Sequence, residues 1–223
     1  MRFHLSEGAL RVVVAASLLC PLRPLIAQTS SGSEWQPLFD GSSLQGWRET
    51  PFTGRGNVHV EDGAIVLGKG FLTGITWTGE FPKFNYELRM EAMRVDGSDF
   101  FAGITFPIHD SFCSWINGGW GGMVVGLSSL DDMDASENDT STRRNFDSGT
   151  WYALRLRVTA DRIQAWINEE PVIDLYITSR LIGLRPGEIE LSTPLGVASY
   201  STIARLRKLE YRLIPSPHSP DPE

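Results

Sequence analysis

The sequence predicts an all-β protein, a sandwich or a barrel, and three observations carry that prediction. Apolar and polar residues alternate with period two over many short runs. Turn-forming residues separate those runs. No stretch shows the periodicity of an amphipathic helix of normal length. The absence of an internal repeat argues against a propeller.

Taken in order, residues 1–27 read as a secretory leader. Arg2 and Arg11 give a basic start, Val12 to Cys20 is apolar, and Leu25-Ile26-Ala27 precedes a cleavage point before Gln28. The apolar run is too short to span a membrane, so no transmembrane segment is expected after cleavage. This predicts an exported protein, periplasmic or extracellular. A lipoprotein alternative puts Cys20 at the acylated position, with bulky Leu19 where a small residue is expected. Residues 28–33 read as a linker, 34–214 as one domain, and 215–223 as a disordered Pro-rich tail.

Within the domain, Leu38-Phe39 runs into an Asp40-Gly41 turn, and Gly46-Trp47 opens the next segment. Strands are expected at 58–61, 64–67, 71–78, 123–128, 188–191 and 195–199. In residues 86–95, Tyr86, Leu88, Met90 and Ala92 share one face and Glu87, Arg89, Glu91 and Met93 the other. In residues 99–106, Phe100, Ala102, Ile104 and Phe106 oppose Asp99, Phe101, Gly103 and Thr105. Tyr152, Leu154, Leu156 and Val158 oppose Arg155 and Arg157, and Ile163, Ala165 and Ile167 oppose Gln164 and Trp166. Ala160-Asp161 and Asn168 to Pro171 supply the next reversals, into a strand at 172–176. The last run, 202–213, slips phase near Arg207-Lys208, which predicts a β-bulge.

Charge narrows the function classes. The net charge is −7, and cleavage after Ala27 removes three arginines and one glutamate, giving −9. An acidic chain disfavours nucleic acid and anionic membranes as partners. Only Cys113 follows the leader, so no disulfide forms within the domain, and a buried, inert thiol is expected. His59, His109 and the tail's His218 do not make a histidine-rich zinc site.

Residues 38–47 (LFDGSSLQGW), then His59-Val60-Glu61-Asp62-Gly63, Leu72-Thr73, Asn85 to Arg94 (NYELRMEAMR), and residues 149–174 appear in an order that resembles the 3-keto-disaccharide hydrolase domain family. The resemblance covers most of residues 38–213. It implies a two-sheet antiparallel jelly roll of the concanavalin A-like lectin and glucanase type. It also implies a carbohydrate ligand and cleavage of 3-keto glycosides by elimination and hydration. Two departures fall at polar positions. Phe101-Ala102-Gly103 stands where members carry Asn-Ser-Gly, and residues 122–126 lack the Glu and Gln of a central strand. That loses a candidate acid–base carboxylate and supports a rival reading, a non-catalytic glycan-binding module on the same fold.

The candidate site follows from parity and chain order. Trp120, flanked by four glycines in residues 117–122, is a candidate stacking platform for a sugar face, the alternative being that it packs in the core. Asp99, Phe101 and Trp166 are expected to bind substrate beside it. Glu91, Asp134 and Glu137 are the candidates for proton transfer. Asp132, Asp134 and Asn138 have every-second-residue oxygen spacing and are candidate ligands for calcium or another divalent metal. An EF-hand is absent, because Glu137 and Arg143 stand where Gly and an acid are required. A solvated acidic loop is the alternative for this segment.

Overall fold

The computed structural model describes residues 34–215; the expected leader and most of the expected tail lie outside them. Fifteen strands are described, all paired antiparallel. They are β1 (Gln36–Pro37), β2 (Trp47–Glu49), β3 (Val58–Glu61), β4 (Ala64–Leu67), β5 (Leu72–Trp77), β6 (Tyr86–Gly97), β7 (Ala102–Ile108) and β8 (Ser111–Gly118). There follow β9 (Val124–Ser128), β10 (Thr142–Arg143), β11 (Trp151–Val158), β12 (Arg162–Ile167), β13 (Glu170–Tyr176), β14 (Gly196–Tyr200) and β15 (Thr202–Leu213). The first sheet has the order β13-β12-β11-β6-β15-β4-β3, with β1 also on β15; the second has the order β10-β9-β8-β7-β14-β5-β2. This is the two-sheet jelly-roll sandwich that the alternation and the resemblance imply.

Turn chemistry sets the hairpins. Asp62 and Gly63 have φ of 47° and 73°, and Asn168 and Glu169 of 50° and 64°. Both pairs form two-residue connections between directly paired strands, the geometry that matches strand twist. The bulge also forms. Pairing shifts between Arg207 and Glu210, and Lys208 takes φ 53°. The register slip turns Arg207 and Lys208 toward one carboxylate, that of Glu91, at 2.6 Å each.

The core lies between the sheets. Leu88, Leu154, Leu156 and Ile163 of the first sheet meet Ile104, Phe106, Trp115 and Leu127 of the second. Each side chain so enclosed contributes about 1.5–3 kcal/mol of transfer free energy. Cys113 is fully buried there, and burial pushes its thiol up to about 12. A thiol that stays protonated is a poor nucleophile, as the sequence suggests.

Two expectations fail. Residues 188–191 are not a strand; Glu188–Ser192 is a 3-10 helix. Its Glu-Ile-Glu-Leu pattern has strand periodicity but no ladder partner, and the three-residue spacing turns Ile189 and Ser192 inward instead. Phe101 is not on an open face. It is fully buried against Phe146 and Tyr152, with ring centroids 5.0 and 6.0 Å away. The chain leaves the first sheet at Gly97 and enters the second at Ala102, so strand parity does not carry through the crossing.

Candidate functional site

The outer face of the second sheet is built from small residues. Gly103, Thr105, Ser114, Gly126 and Ser128 leave room for material to lie across the strands. A Cβ on Gly103 would come within 3.0 Å of the Phe100 ring, and one on Gly126 within 2.8 Å of the Ala135 carbonyl oxygen. Phe100 and Ala135 therefore rest directly on the sheet and, with Ile116 and Val124, make a second, smaller apolar cluster.

Trp120 projects from the turn that follows β8. Gly118, Gly121 and Gly122 have φ of 80°, 85° and 100°, a region that side chains disfavour, and Trp120 itself is held at 46°. Arg94 holds the turn from below. Its guanidinium donates to the carbonyl oxygens of Gly122 at 3.0 Å, Asp99 at 3.1 Å, Gly118 at 3.3 Å and Phe146 at 3.4 Å. It is buried, and burial pulls its pKa down. Asp99 ties the turn from the side, accepting the Phe100 amide at 2.8 Å and the Gly121 amide at 3.2 Å. The result is an indole 40% exposed on a fixed base. Tyr200, 39% exposed, stacks with Phe100 at 5.9 Å and extends the aromatic surface.

A segment from Arg180 to Ile189 roofs the other side. Ser129 and Gly183 exchange two backbone hydrogen bonds, and the Asp131 amide donates to Leu181. Arg180 bridges Asp131 at 2.6 Å and Asp139 at 2.9 Å. Hydrogen bonds from Leu181 and Arg180 lower the Asp131 pKa, and those from Arg180 lower that of Asp139. Beyond this latch, Arg185 reaches Asp134 at 3.5 Å, while Asp134 accepts the Ser128 hydroxyl at 3.2 Å. Between roof and aromatics lie two adjoining depressions, of about 320 and 230 Å³, that share Phe100, Trp120, Arg185 and Tyr200.

The structure divides the residues expected at the site. Trp120 and Asp99 border this groove, and Asp134 stands beside it through Ser128 and Arg185. Phe101 is in the core, as described above. Glu91 and Trp166 lie on the outer face of the first sheet, away from the groove. The inference that joined them assumed that consecutive strands share a sheet, but β6 and β7 belong to different sheets, so their outward faces point apart. Burial would raise the Glu91 pKa, but hydrogen bonds from Lys208 and Arg207 outweigh it and the net shift is downward. Such a carboxylate is a poor proton shuttle. Trp166 is covered by the Arg155 guanidinium at 3.8 Å. Glu137 is exposed on the acidic loop.

The metal set does not assemble either. The Asn138 amide nitrogen donates to Leu127, Met133 and Asp134 carbonyls, and its oxygen accepts from Thr140 at 3.0 and 2.5 Å. Every valence of that side chain closes the loop. Asp132 is exposed. Among the described residues no three His, Cys, Asp or Glu side chains come together as a metal site. The donor set therefore does not fit calcium or another divalent ion.

Sequence reasoning missed Arg94, Arg185 and Tyr200. Arg94 had a signal: it continues the phase of Tyr86, Leu88, Met90 and Ala92, so it is an arginine at a core-facing position. Arg185 had none, because it reaches the groove only through the latch.

The 3-keto-alpha-glucoside-1,2-lyase-like domain family matches residues 34–204. No curated protein matches. Among solved structures, the chain is similar to the Crh5 transglycosylase in complex with NAG, at TM-score 0.58 and 15% identity, over 83% of this chain and 86% of that one. It is similar to a structure from work on endo-acting O-glycanases of the human gut microbiota, at 0.52 and 14%, over 83% and 100%. It is also similar to the carbohydrate-binding module CBM66 from Bacillus subtilis, at 0.50 and 12%, over 75% and 95%. At these identities the likenesses establish the fold.

Proposed function

The chain belongs to the 3-keto-alpha-glucoside-1,2-lyase-like domain family, and on that premise we propose that the groove on the outer face of its second sheet seats a glycoside. The observation that carries this reading is the pairing of two exposed aromatic surfaces, Trp120 and Tyr200, with the Arg185 guanidinium in one depression. Aromatic faces stack on the C–H side of a sugar ring. A guanidinium offers several N–H donors to hydroxyl or carbonyl oxygens.

The family's chemistry assigns roles to the neighbours. A ketone at C3 acidifies the C2 proton. A base removes it, the C2–H electrons form C1=C2, and the C1–O bond breaks with its electrons on the leaving oxygen, which takes up a proton. Water then adds across C1=C2, so the net change is hydrolysis with no oxidation or reduction. Asp134 is the carboxylate for the proton, and Arg185, 3.5 Å from it, is the cation for developing charge on O3. The second reading, glycan binding without turnover, is favoured by the absence of a carboxylate among the four residues common to both depressions.

Incubation with 3-keto-trehalose and with a 3-keto-glucoside separates the two. Product release that is lost in Asp134→Asn, with binding retained, supports the lyase reading. Binding without product supports the module. Binding that is unaffected by Trp120→Ala removes the groove from both.

A further inference from the structure

We propose that the larger depression is a subsite for an apolar aglycone, so that the preferred ligands are glycosides of an aromatic or aliphatic alcohol. This rests on the reading of the groove as a carbohydrate seat, and it adds which end of the ligand goes where.

The polar residues that only the larger depression has, Ser114, Ser128 and Glu188, each hold a bond already. Ser114 bonds Thr105 at 2.9 Å, Ser128 bonds Asp134 at 3.2 Å, and the Glu188 carboxylate accepts the Thr53 amide at 2.9 and 3.1 Å. A pyranose placed there would strip water from its hydroxyls and find few free partners, which costs free energy. The other residues that only the larger depression has are hydrocarbon: Leu72, Ile116, Pro186 and Ile189. At about 320 Å³ the space suits a single aromatic ring or a short alkyl chain.

The smaller depression adds only Asp99 to the four residues that both share, so a ligand there meets mainly Arg185 and the two open rings. Arg185, with its side chain 62% exposed and one ion pair at 3.5 Å, keeps donors free, and Trp120 and Tyr200 offer ring faces. The two depressions meet at Phe100, Trp120, Arg185 and Tyr200. A ligand with its sugar in the smaller and its aglycone in the larger has its glycosidic bond at that junction, beside the Arg185–Asp134 pair.

The test is calorimetric titration of the full chain with 4-nitrophenyl glucosides and methyl glucosides of both anomers, with trehalose, and with free 4-nitrophenol as competitor. A nitrophenyl glucoside should bind about ten-fold more tightly than its methyl counterpart, and 4-nitrophenol should compete. Ile189→Asp and, separately, Leu72→Asn should each erase that advantage while leaving methyl glucoside affinity within about two-fold. Trehalose binding as tightly as the nitrophenyl glucoside would mean a second sugar subsite and overturn the proposal while leaving the carbohydrate seat intact. A nitrophenyl advantage that survives both substitutions overturns it as well, since the ring then binds elsewhere. If none of the glycosides binds, the seat itself is wrong and the subsite falls with it.

Discussion

Both outer surfaces carry aromatic and charged side chains, on the strands themselves in the first sheet and around a floor of small residues in the second, yet they differ in how closely those groups are paired. On the first sheet, Glu87 is fully buried beneath arginines, bonding Arg157 and Arg212 at 2.6 Å with Arg155 at 3.5 Å. Glu91 is shared by Arg207 and Lys208, and Arg89 pairs with Glu210. The indoles of Trp35, Trp151 and Trp166 each lie under a guanidinium at 3.8–4.0 Å. On the second sheet, Trp120 and Tyr200 remain open, and Arg185 holds one long ion pair. A site is marked by what its groups have left to offer, not by how many there are.

That contrast breaks most visibly at Arg94, which serves the open face from inside the protein. Arg94→Met takes a donor from four carbonyl oxygens, of which that of Asp99 keeps the Thr202 hydroxyl, and a loss of about 2–4 kcal/mol is expected in urea unfolding. Glycoside affinity should fall with it, because the Trp120 turn loses its floor. Retained affinity in the folded variant would show that the turn holds without Arg94.

Glu87→Gln addresses the closed face. A loss of about 2 kcal/mol at neutral pH is expected, discounted because the arginines are partly exposed. Burial raises the Glu87 pKa, but hydrogen bonds from Arg212 and Arg157 prevail, so its native pKa lies below the ordinary 4.5. The stabilisation is therefore full above that value and disappears as pH falls through the native pKa. Unfolding free energies of wild type and variant should converge in acid; curves that stay parallel would show that the ladder is not electrostatic. Glycoside binding should not change.

Trp120→Ala sharpens the other side. Affinity should drop about ten-fold with stability altered by less than about 0.5 kcal/mol, read by titration and thermal unfolding. Glu91→Gln should be the mildest, with less than about 1 kcal/mol of stability lost and no effect on binding or turnover. Lost turnover there would return Glu91 to the catalytic machinery.

The sequence made the sandwich legible because burial enforces alternation within each strand. Leu88, Ile104, Leu154 and Ile163 fall where their phase puts them, and the slip at Arg207-Lys208 is a real bulge. Cys113 is buried as composition suggests. What alternation does not encode is which sheet a strand joins. The crossing at residues 97–102 therefore sent Glu91 and Trp166 to one side of the molecule and Trp120 to the other, and put Phe101 in the core. The acidic loop was illegible for a different reason. Asp132, Asp134 and Asn138 have the spacing of metal ligands, but the Asn138 side chain is spent on the loop's own backbone and on Thr140, and Asp134 pairs with Arg185, some fifty residues on.

The Arg180 latch bears on recognition. The ladder between Ser129, Asp131, Leu181 and Gly183, with Arg180 across it, makes the roof part of the folded scaffold. Its conformational entropy is spent in folding, so an arriving ligand has few protein torsions left to freeze. Affinity then tracks fit to a fixed mould, and a ligand one methylene too bulky for the hydrocarbon wall meets a steric limit that does not yield.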